Sequence, residues 1–297
     1  MYISMNGELM APEEARLSPF EHGYMYGLGV FETLRVYKGY PFLYKDHLKR
    51  LSEGIKEIGI DTEITEQYFY EEIERVVKAN EWLDAYVRFN VSAGEGPLGL
   101  PVESYTDPQT IIYTKPLQEK AMPVEKQAVT LTLRRNSPEG DIRLKSHHFL
   151  NNILGKKELK NRADVEGIFL TDEGHVAEGI VSNIFWVKNG ELYTPTINTG
   201  ILNGVTRQYI LRLANELNIP VHEGYFSKEE LQAADMAFIT NSIQEIVPLS
   251  AVDDISYESP ATSLIAELQA EYKRHRFYLS SYKELTGKKG NANDMEK

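Results

Sequence analysis

The first 115 residues contain two kinds of hydrophobic pattern. Segments 29–37 and 85–92 are rich in valine and aromatic residues, as strands are. Segments 47–59 and 65–80 place apolar side chains three and four positions apart, which indicates amphipathic helices. With two shorter strand-like runs, the pattern predicts strands at 2–5, 29–37, 85–92 and 110–114 and helices at 47–59 and 65–80.

Beyond residue 124, a run of short strands is followed by helices. Residues 166–195 read as a meander, and the pair Asn189-Gly190 within it favours the type I′ turn of a hairpin. The other predicted elements are strands at 128–134 and 236–240 and helices at 148–160, 205–217, 228–233 and 263–279. Because strands and helices are mixed in both halves, the predicted fold class is α+β.

Between these two regions lies a segment whose hydrophobic pattern favours neither a helix nor a strand. Residues 116–124 are rich in charge and include two prolines, which is typical of a linker. We therefore predict an N-terminal α+β domain over 1–115, an interdomain linker over 116–124 and a C-terminal domain over 125–286. The last eleven residues, 287–297, are polar and are predicted to be disordered.

Composition narrows the class of protein. The 297 residues are 42% hydrophobic and include no cysteine, which excludes disulfides, a cysteine nucleophile and cysteine-bound metal clusters. No apolar run is long enough for a membrane span and no signal peptide is indicated, so we expect a cytoplasmic protein. The net charge of −12 argues against nucleic-acid and membrane partners, which need a positive surface.

A search for familiar sequence motifs argues against nucleotide, metal and hydrolase sites. The glycines of Gly94-x-Gly96-x-x-Gly99 match a dinucleotide-binding fingerprint, but Pro97 and Pro101 flank them and no predicted helix follows. The histidines show no metal-ligand spacing, and no G-x-S-x-G elbow is present. We therefore predict neither a nucleotide site nor a metal site nor a hydrolase triad.

Five separate segments carry chemistry of another kind. Lys145 precedes a predicted helix, Glu178 precedes an apolar strand, and Arg50 lies one helical turn after His47. Taken singly, each is more simply explained as a surface charge or a turn residue. Gly204, Val205 and Thr206 open a helix, where backbone N–H groups can hold a phosphate, and Ser242 follows a strand; alone, these are an ordinary helix start and an ordinary turn.

In this order, the segments resemble the fold-type IV family of pyridoxal-phosphate (PLP) enzymes. The family includes branched-chain and D-amino-acid aminotransferases and 4-amino-4-deoxychorismate lyases, and the lyases of Gram-positive bacteria are the most similar. The matching segments are GVFETLRVY, VRFNVSAG, RRNSPEGDIRLKSHHFLNN, AEGIVSNIFW and YTPTINTGILNGVTR. The resemblance implies a small N-terminal α/β domain, a larger C-terminal domain with a barrel-like sheet core, and a homodimer.

The resemblance also implies roles for individual residues. Lys145 matches the Schiff-base lysine and Glu178 the acid that pairs with the pyridinium nitrogen. The phosphate-binding positions match Arg50, Gly204, Val205, Thr206 and Ser242. For a substrate carboxylate, Arg88 and Asn241 are the candidate partners, with Arg143, His147 and Arg135 as further options.

Departures from the transaminases favour the lyase. Phe31 and Ala93 stand where D-amino-acid aminotransferases have a tyrosine and an arginine that grip the substrate carboxylate. His147-His148-Phe149-Leu150 replaces the Gly-Gly-Asn-Tyr stretch of branched-chain aminotransferases. We therefore predict release of 4-aminobenzoate and pyruvate from 4-amino-4-deoxychorismate, an anionic amino-cyclohexadiene dicarboxylate, for folate synthesis.

Two alternatives stay open at this point. A transaminase of the same fold would act on D-amino or branched-chain amino acids. A non-catalytic binding protein would carry Lys145 and Glu178 as plain surface charges and would be colourless when purified.

The charge distribution is consistent with an anionic ligand despite the acidic average. Residues 120–162 contain ten lysines and arginines and four acids, a net charge of +6. This segment includes Lys145, so the predicted catalytic lysine lies in the part of the sequence best suited to attract anions.

Overall fold

The computed structural model describes residues 1–117, 125–160, 162, 164–258 and 262–285, which form two β-sheets with helices packed on them. The first sheet has six strands in the order β2-β1-β6-β5-β3-β4, and every pairing in it is antiparallel. Its elements are β1 (Ile3–Met5), β2 (Glu8–Met10), α1 (His22–Tyr26), β3 (Gly29–Tyr37), β4 (Tyr40–Pro41), α2 (Tyr44–Glu57), α3 (Glu66–Ala79), β5 (Ala85–Ser92) and β6 (Gln109–Pro116).

The helices α2 and α3 cover one face of this sheet because their apolar stripes match it. Leu51 and Ile55 of α2 and Phe69 and Ile73 of α3 are buried with the apolar side chains of β3 and β5. Thr65 begins α3, since its side chain accepts a hydrogen bond from a backbone N–H of the first turn. The opposite face of β3 is thereby left to meet the second sheet.

The second sheet is mixed and contains nine strands. Its main path runs β12-β11-β10-β13-β14-β7-β8-β9, with β15 paired to β14. The elements are β7 (Lys126–Thr130), α4 (Leu150–Glu158), β8 (Val165–Leu170), β9 (Val176–Gly179), β10 (Asn183–Lys188), β11 (Glu191–Pro195), α5 (Val205–Glu216), β12 (Val221–Gly224), α6 (Lys228–Gln232), β13 (Met236–Asn241), β14 (Glu245–Val252), β15 (Ile255–Ser256) and α7 (Leu264–His275). Single 3₁₀ turns lie at Ile197–Thr199 and Tyr282–Glu284.

The second sheet curls until its two ends meet. The N–H of Val176 in β9 donates to the carbonyl of Phe226, just after β12, at 2.8 Å. His175 and Ser227 form an isolated bridge beside this bond. The curl confirms the predicted barrel-like core and encloses one side of the cavity described below.

A short segment joins the two sheets. Phe31 N donates to Lys145 O and His147 N donates to Gly29 O, both at 2.9 Å, and Val30 bridges Ser146 between them. The main chain around Lys145 is therefore fixed to β3 of the first sheet, although it follows the predicted linker in the sequence.

Most predicted elements are present, and several end elsewhere than predicted. The strand predicted over 128–134 stops at Thr130, because the N–H groups of Thr132 and Leu133 donate to the carboxylate of Glu158 and not to a strand. The helix predicted over 263–279 ends at His275, and Leu279 instead receives a backbone bond from Leu43. The hairpin turn at Asn189-Gly190 is confirmed, with φ angles of +52° and +77°.

The predicted linker starts at Pro116, directly at the end of the first sheet. Pro116 is the last residue of β6, where it pairs with Ala85. Residues 118–124 of the linker and the predicted tail at 287–297 lie outside the described residues, and the domain boundaries stay predictions. Within the described ranges, no helix is long and apolar enough to cross a membrane.

Candidate active site

A cavity of about 700 Å³ lies between β3 and the concave side of the second sheet. Its wall includes all nine residues that the sequence predicted for cofactor and substrate: Arg50, Arg88, Lys145, Glu178, Gly204, Val205, Thr206, Asn241 and Ser242. These residues come from both sheets and from α2 and α5, so the fold brings together positions almost 200 residues apart. The volume is in the range of small-molecule sites.

Lys145 lies in the cavity against an aromatic floor. Its Nζ is 4.7 Å from the centre of the Phe31 ring. Burial is the main cause that lowers the pKa of Lys145 to about 8, and the nearby charge of Arg50 adds to the effect. At pH 8 about half of this amine is then unprotonated, and only the unprotonated form can attack an aldehyde carbon.

Glu178 lies at the end of β9 and is 4% exposed. Its Oε1 accepts a bond from Arg135 Nε at 2.9 Å, and its Oε2 accepts one from the backbone N–H of Leu202 at 3.0 Å. Asn183 Nδ2 donates to the same Oε2 at 3.4 Å. These donors fix a carboxylate on the cavity wall, where it can face a cationic ring nitrogen.

The N-terminus of α5 forms another part of the wall. Helix α5 begins at Val205 after Gly204, and no side chain among the described residues caps it. The first N–H groups of a helix have no partner within it and, with the helix dipole, favour an anion. The hydroxyls of Thr206 and Ser242 lie beside this terminus, 3.4 Å from each other.

Arg50 reaches the same end of the cavity and is held by a buried acid. Its Nε and one terminal nitrogen donate to the two oxygens of Glu32, both at 2.7 Å, and its other terminal nitrogen donates to the carbonyl of Asn203 at 3.0 Å. Burial alone would raise the pKa of Glu32, but Arg50 and His47 outweigh it and lower the pKa to about 2. Glu32 is therefore an anion that fixes the guanidinium.

Two buried hydroxyls on the wall have no partner among the described residues. Thr240 Oγ1 and Ser182 Oγ neither donate nor accept a hydrogen bond within the part of the chain that the structure describes. Both residues line the cavity and are less than 7% exposed. Because a buried hydroxyl is costly to leave unpaired, these atoms favour a polar occupant over an apolar one.

Arg88 and Asn241 are the two residues that the sequence predicted as partners of a substrate carboxylate. The guanidinium carbon of Arg88 is 3.5 Å from the centre of the Phe31 ring, and its Nε donates to Asn90 Oδ1 at 3.0 Å. The side-chain oxygen of Asn241 accepts the N–H groups of Ile243 and Gln244, which fixes the turn that carries Ser242. Arg88 and Lys145 thus both lie against the Phe31 ring, and the charge of Arg88 helps to lower the pKa of Lys145.

Comparison with known proteins adds to this geometry. The family model for amino-transferase class IV matches residues 29–252, which include every predicted site residue. The chain belongs to the class IV amino-transferase family. Its fold is the two-domain fold that the resemblance implied.

Relatives of this class IV chain carry out different reactions. Aminodeoxychorismate lyase of Bacillus subtilis (strain 168) is 42% identical over 92% of this chain and 94% of its own length. D-alanine aminotransferase of Bacillus licheniformis is 31% identical over 85% of this chain and 89% of its own. A crystal structure of the T.th. branched-chain amino acid aminotransferase, complexed with N-(5'-phosphopyridoxyl)-L-glutamate, superposes with a TM-score of 0.82 at 26% identity, covering 93% of this chain and 94% of the other.

Sequence reasoning missed part of this class IV site. Glu32 and His47 received no role, although they surround Arg50. The motif GVFETLRVY contains Glu32, and an acid inside a buried strand was the signal that could have found it. Thr240 and Ser182 also received no role, because a single hydroxyl in a strand or turn is too common to stand out.

The two arginines among the further options for a substrate carboxylate have other partners. Arg135 donates to Glu178 and to Asn151 Oδ1, and Arg143 donates to the backbone carbonyls of Asn136 and Gly200. His147 lies behind Phe31, with the ring centres 6.2 Å apart. Arg135 and Arg143 thus hold the walls together, which leaves Arg88 as the best placed of the three arginines.

Replacement of Gly204 by alanine should disturb the cavity wall at the N-terminus of α5. An added Cβ would lie 2.1 Å from Asn183 Oδ1, so Asn183 must move away from Glu178. We expect Gly204→Ala to lower the free energy of unfolding by about 1 to 3 kcal/mol, the usual cost of overpacking. Thermal denaturation measures the loss. Gly140→Ala is the control, because the nearest atom to its new Cβ is 3.8 Å away; equal melting temperatures for the two variants would contradict the prediction.

Proposed function

We propose that this protein is a PLP-dependent 4-amino-4-deoxychorismate lyase, which releases pyruvate and 4-aminobenzoate. The observation that carries the proposal is the meeting of Lys145, Glu178 and the α5 N-terminus around one cavity. The 42% identity to the Bacillus subtilis lyase, against 31% to the D-alanine aminotransferase, supports the choice of reaction.

The chemistry of the wall fits PLP. The cofactor needs an amine for its aldehyde, an anion at its ring nitrogen, and cations or N–H donors at its phosphate. Lys145 supplies the first and Glu178 the second. Arg50, Thr206, Ser242 and the N–H groups of Val205 and Thr206 supply the third. When bound, PLP supplies a carbon that condenses with amines and a ring that accepts electrons.

Glu178 has a single task in this proposal, which is to keep a positive charge on the ring nitrogen. A carboxylate held by Arg135 and Leu202 cannot turn away from the cavity. Its negative charge favours a proton on the nitrogen that faces it, and a protonated ring withdraws electrons better than a neutral one.

Lys145 is the proposed acid and base. With PLP bound, Nζ would be the group that removes the proton at C4 of the substrate. A pKa of about 8 lets the same group hold a proton and return it near neutral pH, so it can protonate the departing enol carbon. Loss of the C4 proton and of the C3 enolpyruvyl group makes the ring aromatic, which supplies the driving force.

Arg88 is the proposed partner of a substrate carboxylate, and Asn241 lies on the same wall. The Phe31 ring holds the guanidinium of Arg88 at 3.5 Å and the amine of Lys145 at 4.7 Å. The same ring occupies the position where D-amino-acid aminotransferases place a tyrosine. A phenyl ring offers no hydroxyl for gripping a carboxylate, which leaves that role to the guanidinium packed against it.

Arg88→Gln should weaken the use of substrate. A charge-assisted hydrogen bond is worth about 1.5 to 3 kcal/mol, so we expect kcat/KM for aminodeoxychorismate to fall roughly 10- to 150-fold, mostly through KM. Steady-state kinetics of 4-aminobenzoate release measures this. Arg134→Gln, at an exposed arginine of the same charge, is the control and should change neither constant. If both variants behave alike, the carboxylate is bound elsewhere.

The main alternative is a transaminase acting on D-amino or branched-chain amino acids, which the D-alanine aminotransferase relative keeps open. One experiment separates the two. The purified protein is supplied with aminodeoxychorismate without any keto acid, and 4-aminobenzoate is followed; in parallel, amino donors are supplied with 2-oxoglutarate, and glutamate is followed. Rapid glutamate formation without any aromatic product would refute the lyase.

Three finer points belong to the same proposal. The proposed product serves folate synthesis, and we place the reaction in the cytoplasm because folate precursors are made there. We also propose a homodimer, as the resemblance implies. Size-exclusion chromatography with light scattering tests the dimer directly.

A further inference from the structure

The proposed phosphate end has a second layer behind the residues that line the cavity. His47 Nδ1 lies 2.6 Å from Glu32 Oε2, and His47 Nε2 lies 3.4 Å from Ser242 Oγ. Glu32 and His47 are 0% and 1% exposed, whereas Ser242 lines the cavity. Ser242 is therefore the link between a buried histidine and whatever occupies the cavity.

The charges of this layer cancel. Arg50 brings one positive charge to the phosphate end, but Glu32 holds it with two hydrogen bonds and one negative charge. A phosphate monoester carries close to two negative charges above pH 7. The Glu32–Arg50 pair alone therefore gives such an anion little net attraction, and the group nearest to this pair that could add positive charge is His47.

Hydrogen-bond roles follow from the same contacts. An ionised carboxylate only accepts, so His47 Nδ1 must carry the hydrogen toward Glu32. A neutral His47 then has an acceptor at Nε2, and it takes the single hydroxyl hydrogen of Ser242. A protonated His47 donates from Nε2 instead, and the hydroxyl hydrogen of Ser242 can turn to a phosphate oxygen.

We propose that His47 takes up a proton when a phosphate group binds, and that it thereby converts Ser242 from a donor to histidine into a donor to phosphate. The proton comes from solvent and ends on His47 Nε2, while Glu32 stays ionised. His47 does not touch the ligand and is a positioning residue. The inference rests on the proposed function, which puts the phosphate beside Arg50, Thr206 and Ser242.

The groups around His47 fit this direction. Glu32 faces it from β3, Asp46 and Arg50 from its own helix, and the hydroxyl of Ser242 from the β13–β14 turn. Burial lowers the pKa of His47, and Arg50 acts with burial, while Glu32 and Asp46 oppose it. A bound dianion adds a further raising influence. Above pH 7, where the phosphate is a dianion, its affinity then falls as pH rises through the raised pKa of the bound state.

The experiment uses two ligands that differ only in the phosphate and cannot condense with Lys145. Pyridoxine 5'-phosphate and pyridoxine are titrated into the cofactor-free protein at pH 7.5 by calorimetry, in two buffers of different ionisation enthalpy. The difference between the ligands gives the number of protons taken up with the phosphate. We expect a value approaching one, and an affinity ratio between the ligands that falls as pH rises, by up to tenfold per pH unit.

Three variants decide the outcome. His47→Gln should bring the proton count near zero, and Ser242→Ala should do so without changing a buried residue. His275→Asn, at a buried histidine bonded to Tyr209, is the matched control and should keep the normal count. An unchanged count in both His47→Gln and Ser242→Ala overturns the inference, as does a wild-type count of zero.

The same titrations separate this inference from the proposed function. If Thr206→Val leaves the advantage of pyridoxine 5'-phosphate over pyridoxine unchanged, the phosphate does not bind at the α5 N-terminus, and the proposed placement fails. If that variant weakens phosphate binding while no proton is taken up by the wild type, the placement stands and only the role of His47 is wrong.

Discussion

Lys145→Ala should abolish the activity, with a loss of at least about a thousandfold in kcat. Nζ is the amine proposed to hold the cofactor aldehyde and to move the C4 proton, so one substitution removes two functions. The variant should also lack the visible band of a PLP imine that borohydride removes from the wild type. Both the lyase assay and the absorption spectrum measure this.

The control for this variant is another lysine of the same basic segment. Lys157 is exposed on α4 and is not part of the cavity wall. Lys157→Ala should keep both the activity and the visible band. A fully active Lys145→Ala protein would refute the assignment of the catalytic lysine, and a wild-type protein that binds no PLP would support the non-catalytic alternative.

Glu178→Gln should have the second largest effect. Glutamine keeps the size of the side chain and can still accept a bond from Arg135, but it loses the negative charge that favours a protonated ring nitrogen. We expect kcat to fall roughly 100- to 1000-fold while PLP stays bound, as when one preorganised electrostatic group is lost. The test combines the lyase assay with a spectrum of the bound cofactor.

Stability must be measured beside it, because Glu178 also binds neighbouring groups. Glu166→Gln is the matched variant, since Glu166 is 4% exposed and accepts the N–H of Ile180 in the adjacent turn. If Glu178→Gln loses activity only in proportion to its melting temperature, as Glu166→Gln does, then Glu178 has a structural role alone.

Local patterns predicted the elements of this fold well. The valine-rich strands and the apolar stripes of α2 and α3 fix their type, because a core has to bury them. Ends were less predictable: β7 stops at Thr130 because Glu158, 28 residues later, takes the next backbone N–H groups. A local sequence pattern cannot show this competition, because Glu158 is far along the chain from the N–H groups that it binds.

The cavity-lining residues were predictable because the segments that carry them resemble, in the same order, those of a known enzyme family. The residues that hold these side chains in place were not predictable, because only a contact in the folded structure identifies such a residue. Arg135 is one arginine of a basic segment until its bond to Glu178 is seen, and Glu32 is one acid of a strand until it lies between Arg50 and His47. The sequence therefore predicts chemistry better than it predicts the positioning of that chemistry.

The bonds between residues 145–147 and residues 29–31 also concern the order of assembly. The reactive amine is covalently part of one half of the protein, but its main chain is held in place by the other half. Neither half alone would form the proposed Schiff-base site during folding. The yellow colour of the bound cofactor should therefore appear only after both halves have folded and docked. The time at which the colour returns during refolding measures when docking is complete.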